Sequence, residues 1–223
     1  MEFLNNLMTI IGYLGIFWSI FKWFYDNKIN FFIKVNRIFT WKKDVNFEIA
    51  INSESKVFNL AEIVDIFNNN KNIDFRIITR GTNRVVIQFD TMNVEIADSS
   101  DDSESEFNLR INFINTSSTY KSAIKKLKII NDIIEDIESL NSIKFTKIQF
   151  SSKFKNSNPF ISKAIGSGDL NNIKQFMMVM GTKSINEIDD EIGTDLNIGK
   201  NNISFVDSRY SNIKLIAEVI LAI

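Results

Sequence analysis

The sequence predicts an α+β protein: an amino-terminal transmembrane helix within residues 1–28, then a cytoplasmic domain of antiparallel sheet and helices over 29–223. Three observations carry that expectation. Phe3 to Tyr25 is apolar apart from Asn5, Asn6 and Lys22. From Ile29 onward, short runs of alternating apolar residues are separated by Asn, Asp, Ser and Lys, the period-two signature of half-buried strands. Among them lie stretches with apolar residues three and four apart, which mark helices with one buried face.

Composition narrows the chemistry before any motif is considered. The chain has 223 residues, 44% of them apolar, with 26 Lys+Arg against 27 Asp+Glu, a single Pro, and no Cys or His. That length builds a core without disulfides or structural zinc. Without Cys there is no thiolate nucleophile or thiolate metal site, and without His no imidazole base, so most hydrolase triads are excluded. Ser or Thr activated by Lys, carboxylate pairs, and Mg²⁺ held by Asp and Glu remain available. No cofactor is expected.

The first helix, Phe3 to Tyr25, is just long enough for a hydrocarbon core of about 30 Å at a rise of about 1.5 Å per residue. Trp18, Trp23 and Tyr25 gather at its carboxyl end, where amphipathic rings suit the headgroup level, and Lys22 is placed to snorkel. The following flank carries Lys28, Lys34, Arg37, Lys42 and Lys43 against Asp26 and Asp44. By the positive-inside rule this gives a single-pass protein of the cell membrane with its carboxyl-terminal domain in the cytoplasm. A cleaved signal peptide lacks support, since neither a basic leader nor a small-residue cleavage site is present. Thr9, Gly12, Gly15, Ser19 and Lys22 form a narrow stripe of small and weakly polar residues. That stripe suits either an interfacial helix or a homo-oligomeric contact face.

In the domain, strands are expected at Phe31 to Trp41, Val45 to Asn52, Ile73 to Thr79, Arg84 to Phe89, Asn93 to Ala97, Phe107 to Ile114 and Ile143 to Phe150. Asn59 caps a helix from Leu60 to Asn68 whose buried face is Leu60, Ile63, Val64 and Phe67. Arg80-Gly81-Thr82-Asn83 is a hairpin turn, so its flanking strands pair antiparallel. The clearest helix runs from Thr119 to Leu140, with Tyr120, Ile124, Leu127, Ile130, Ile134 and Ile137 inward. Strand and helix alternation suggests two ferredoxin-like units side by side, at 29–100 and 106–223. After Pro159, a helix from Asp169 through Met180 stopped by Gly181, a strand from Ile203 to Val206 and a helix from Asn212 to Ala222 complete the reading.

The best candidate for a ligand surface is Lys144 to Lys163. Lys144, Lys147, Lys153, Lys155 and Lys163 interleave there with Phe145, Phe150, Phe154 and Phe160, and no carboxylate lies between Glu138 and Asp169. Lysines neutralising phosphates beside aromatic faces are what single-stranded nucleic acid or a nucleotide requires. Lys144, Lys147, Lys153, Phe154, Lys155 and Lys163 are the residues assigned to it. The competing reading is a sheet strand with inward Phe and a solvated Lys face. Lys125, Lys126 and Lys128 near the start of the preceding helix, with Asp132, Glu135, Asp136 and Glu138 near its end, oppose the helix dipole. That order fits either a basic surface or drift.

Weaker motifs are explained by local structure. Gly166-Ser167-Gly168-Asp169 lacks the remaining residues of a dinucleotide or P-loop fingerprint and reads as a turn with a helix cap. The acidic serine run Asp98 to Glu106 reads as a solvated loop, and Asp189, Asp190, Glu191 and Asp195 miss the EF-hand spacing. Asp44 followed by Glu54-Ser55-Lys56 resembles the PD-(D/E)xK nuclease layout, which implies Mg²⁺-dependent cleavage as a third function.

The layout of one amino-terminal membrane helix, a modest α+β domain and an Asn/Ile/Lys-rich composition is similar to small phage-resistance or abortive-infection proteins of bacteria with AT-rich genomes. The expectation is therefore a membrane-anchored, non-catalytic binding or sensor module, with the resemblance implying antiviral defence. The alternative is a membrane-perturbing effector that oligomerises through its amino-terminal helix.

Overall fold

The computed structural model describes residues 2–39, 44–55, 58–70, 74–100, 107–141, 143–155, 158–161, 176–182, 185 and 193–222. Within them the protein is α+β, built on one nine-stranded antiparallel sheet. Helices α1 (Glu2–Asn27) and α2 (Ile29–Phe39) precede strand β1 (Val45–Ser53) and helix α3 (Leu60–Asn69). Strands β2 (Arg76–Arg80), β3 (Arg84–Phe89), β4 (Met92–Asp98) and β5 (Leu109–Ser118) form a meander that returns beside β1. Helix α4 (Tyr120–Asn141) leads to β6 (Lys147–Lys153), and β7 (Met177–Gly181), β8 (Asp195–Gly199) and β9 (Asn202–Asp207) form a second meander that returns beside β6. Helix α5 (Tyr210–Ile220) follows. The strand order is β2-β3-β4-β5-β1-β6-β9-β8-β7, so β1 and β6 join the two meanders.

This order corrects the expected pair of ferredoxin-like units. β1, a strand of the first expected unit, lies between β5 and β6 of the second and pairs with both, so the two halves share one continuous sheet rather than standing as separate units. Each half instead closes by hairpin steps. The turn 80–83 joins β2 to β3 as its residues predict. The tighter β3–β4 turn places Asp90 at φ 50°, a left-handed conformation that Asp tolerates better than bulkier residues.

Helices α3, α4 and α5 cover one face of the sheet. Inward residues alternate along each strand, as in Ile49 and Ile51 of β1, Ile111 and Phe113 of β5, and Ile148 and Phe150 of β6, all at most 2% exposed. The helices answer with Ile63, Val64 and Phe67 from α3, Leu127, Ile130, Ile134 and Ile137 from α4, and Ile213 and Ile216 from α5. Asn59 caps α3 as expected, its side chain accepting from the Ala61 amide. The buried Tyr210 hydroxyl donates to the Leu127 carbonyl, tying α5 to α4.

Three expected elements differ. Residues 29–39 are a helix rather than the start of a strand at Phe31: their apolar residues satisfy both periods, and burial of Phe32 and Ile33 together with Arg37 in the last turn favours the helix. Met177 to Gly181 is a strand paired with β8, not the end of a helix, since a run of four apolar residues fits either form until a partner strand decides. The strand expected from Ile143 begins at Lys147, although Ile143 and Phe145 are buried ahead of it.

The membrane span is also corrected. α1 forms, but among the described residues no helix is long and apolar enough to cross a membrane. At 26 residues α1 has the length, about 39 Å. Its apolarity is diluted by Thr9, Gly12, Gly15, Ser19, Lys22 and Asp26.

Candidate functional site

Two surfaces of the described fold stand out chemically, the outside of α1 and the uncovered face of the sheet.

α1 stands out because its apolar residues have little to rest on. Met8, Ile10, Ile11, Tyr13, Leu14, Ile16, Phe17, Trp18, Ile20, Trp23 and Phe24 are all between 41% and 70% exposed. Its carboxyl end is held where α2 turns back against it. Phe21 and Phe24 meet Phe31 at 5.3 and 5.7 Å between ring centroids, Tyr25 meets Phe32 at 4.9 Å, and the Tyr25 hydroxyl donates to Asn36 Oδ1. Phe32 and Ile33 then sink into the domain core, so α2 is the bracket between α1 and the sheet layer. The cleft between the two helices, about 470 Å³, is lined by Trp18, Phe21, Tyr25, Val35 and Phe39 with Lys22 and Asp26 at its rim. Lys28 Nζ lies 5.7 Å from the Trp23 ring centroid, a cation–π contact.

The uncovered sheet face is polar. Direct cross-strand partners Arg84, Ala97, Arg110, Asn52 and Lys147 run in one row over β3, β4, β5, β1 and β6. The next row is Val86, Glu95, Asn112, Ala50, Gln149 and Val206. The third runs Gln88, Asn93, Ile114, Glu48, Ser151, Ser204 and Asn197. Asn and Gln thus recur across the face. A recess of about 560 Å³ at its β8–β9 end is lined by Phe176, Met177, Asn197, Lys200, Asn202 and Ser204.

The predicted ligand residues do not converge. Lys147 and Lys153 lie at opposite ends of β6 on the uncovered face, about 20 Å apart along the strand. Lys144 is exposed just before it. Lys155 pairs with Asp44, whose other oxygen accepts from Ser117. Phe154 is half-buried, while Phe145, Phe150 and Phe160 belong to the core, as an inward-Phe strand requires. Lys163, the Gly166–Asp169 turn, residues 101–106 of the acidic serine run and Asp189 to Glu191 lie outside the described residues.

Lys126 is not part of a basic surface. It is 3% exposed, and its Nζ meets Asp90 Oδ2 at 2.8 Å, Thr91 Oγ1 at 2.6 Å and Asn115 Oδ1 at 2.9 Å. Its hydrogen bond holds the Asp90 carboxyl below the usual carboxylate range.

Nor does the nuclease layout assemble. Asp44 precedes β1 and Glu54 follows it, so nine strand residues separate them by about 30 Å, and Lys56 lies outside the described residues. Among the described residues no group of His, Cys, Asp and Glu could hold a metal ion.

No protein-family model and no curated protein matches the chain.

Sequence reasoning missed Arg84 and Arg110, which fall in register with Lys147, and Phe107, whose ring centroid lies 5.5 Å from Lys147 Nζ. Polar residues alternating with buried ones were the available signal. Which of them share a row depends on strand order, and no local pattern encodes that.

Proposed function

We propose that this protein is a non-catalytic binding module held at a membrane surface by α1, with its ligand, a single-stranded nucleic acid or nucleotide, received by the domain. The observation that carries the reading is the exposure of α1's large apolar residues. Fully burying one such side chain is worth about 1.5–3 kcal/mol, so leaving eleven roughly 40–70% exposed forgoes an amount comparable to the roughly 5–15 kcal/mol that usually stabilises a domain. A lipid interface recovers that energy without requiring a full span. Trp18, Trp23 and Tyr13 suit the headgroup level, while Lys22 and Lys28 face anionic lipid. The absence of His and Cys and the separation of Asp44 from Glu54 support a non-catalytic role.

Flotation of the full-length protein with vesicles containing phosphatidylglycerol tests the reading. The wild type floats, whereas Ile11→Glu with Phe17→Glu stays at the bottom of the gradient. Equal flotation of both contradicts it.

One observation favours a second reading, an effector that assembles through α1. A Cβ at Gly12 or Gly15 would meet nothing within 4 Å, and the Ser19 hydroxyl is folded back onto the Gly15 carbonyl, leaving a smooth stripe open to another helix. Gly12→Leu with Gly15→Leu then reduces oligomer size and vesicle leakage together. If both are unchanged, the effector reading fails.

A further inference from the structure

We propose that the cleft between α1 and α2 takes up one acyl chain of an anionic membrane phospholipid, with Lys22 at the rim receiving the phosphate. The inference rests on reading α1 as lying at a membrane surface, and it names the molecule held there. The cleft forms because α2 folds back along α1 without closing on it over its whole length. Phe21 and Phe24 against Phe31, and Tyr25 against Phe32, pin the helices together near their connection. Beside these contacts, Trp18 and Phe21 of α1 and Val35 and Phe39 of α2 wall about 470 Å³ of space. That volume lies within the roughly 300–1,000 Å³ of small-molecule sites.

The walls select a hydrocarbon. Trp18 stacks on Phe21 at 5.8 Å between ring centroids and Phe21 on Tyr25 at 6.3 Å, so the α1 wall is a row of near-parallel rings. The Tyr25 hydroxyl is already engaged by Asn36 Oδ1, so what Tyr25 offers an occupant is its ring. A sugar, nucleotide or peptide would bury polar groups against these rings without partners, whereas methylenes need none. Charge enters only at the rim, from Lys22 and Asp26. Asp26 already interacts within the chain, and the exposed Lys22 ammonium carries the sign that a phosphate requires.

Lipid is also the occupant that the surroundings supply. Leu14, one turn before Trp18, and Ile38, next to Phe39, are both exposed, so the apolar surface of α1 continues past the cleft onto α2. Lipid covering that surface meets the mouth of the cleft directly. The α1 of a second copy fits less well: a helix about 10–12 Å across would fill this volume with roughly one turn, whereas an acyl chain enters lengthwise.

Native mass spectrometry of the full-length protein, released from dodecyl maltoside micelles after incubation with phosphatidylglycerol, tests this. Wild type is a monomer carrying one phosphatidylglycerol. Val35→Trp, which overfills the cleft, lowers the lipid-bound fraction about tenfold. Ile16→Trp, the same side chain on an exposed position of α1 outside the lining, leaves it unchanged. Lys22→Gln weakens phosphatidylglycerol binding about threefold, as loss of an exposed ion pair should, and leaves binding of diacylglycerol, which has no phosphate, as in wild type. Because Lys22 is exposed, that variant reads the site even where Val35→Trp lowers the thermal midpoint. The proposal is overturned if wild type retains no lipid, if Ile16→Trp releases lipid as readily as Val35→Trp, if Lys22→Gln holds phosphatidylglycerol as wild type does, or if wild type is a lipid-free dimer, which assigns the cleft to a second copy. Vesicle flotation of the same proteins separates the two readings. Failure here with flotation intact removes the bound lipid and leaves the membrane reading standing, whereas a wild type that does not float removes both.

Discussion

Lys126 lies on the inward side of α4, and its ammonium reaches the β3–β4 turn and β5 at once. Three acceptors for three N–H donors make burial tolerable, and Asn115 closes the network by donating to the Val45 carbonyl and to Ser118. Lys126→Ala therefore costs about 1.5–3 kcal/mol by chemical denaturation, the range for hydrogen bonds to a charged group. The pH dependence has a fixed sign. Because Lys126 holds the Asp90 carboxyl below its unfolded value, the pair's contribution is full above about pH 4 and is lost as pH falls through the folded value. Asp207 acts in the same sense: burial pushes its carboxyl up, but bonds from the Arg209 amide, Asn212 and Thr194 outweigh this. The thermal midpoint thus declines in acid, and Asp90→Asn shallows the decline while lowering the midpoint at neutral pH. A steeper decline in Asp90→Asn contradicts the assignment. None of this was legible from the sequence, where Lys126 reads as one of three surface lysines. The Asn59 cap was legible, because capping depends on residues two or three apart, and Asn59→Ala lowers stability by about 1 kcal/mol.

Among the elements, α3, α4 and β3 could be read closely because each carries a single period and recognisable ends. α2 could not. Phe31, Phe32, Ile33, Val35, Ile38 and Phe39 satisfy a strand and a helix together, and the choice is made by Phe31 and Phe32 meeting α1 while Ile33 enters the core. Since α2 is the bracket for α1, Ile33→Ala carries the full cost of a core truncation, about 2–5 kcal/mol, and loosens α1 from the domain. Faster proteolysis within residues 20–40 of that variant, with the sheet retained by circular dichroism, is the expected outcome. Unchanged proteolysis indicates that α1 is held by other contacts. β6 was legible as alternation but misleading as chemistry: Phe145, Phe150 and Phe160, which interleave with the lysines in sequence, are core.

At the scale of the molecule, antiparallel α+β architecture follows from local hairpins and amphipathic helices, so the sequence shows it. The joining of two meanders through β1 and β6 depends on contacts across about a hundred residues, Ile49 with Phe150 for example, and no local pattern encodes them. Among the described residues, the same long-range order produces one face covered by helices and one polar and open. α1, its apolar surface mostly unsupported, stands outside that arrangement and sets the central claim, attachment to a membrane surface. Tryptophan emission is the direct measurement: with Trp41→Phe, only Trp18 and Trp23 of α1 report. On adding vesicles containing phosphatidylglycerol, the emission shifts to the blue and is quenched most by lipids brominated near the headgroup end of the acyl chain. An emission maximum that stays where it was in buffer, with no quenching by any brominated lipid, contradicts the account.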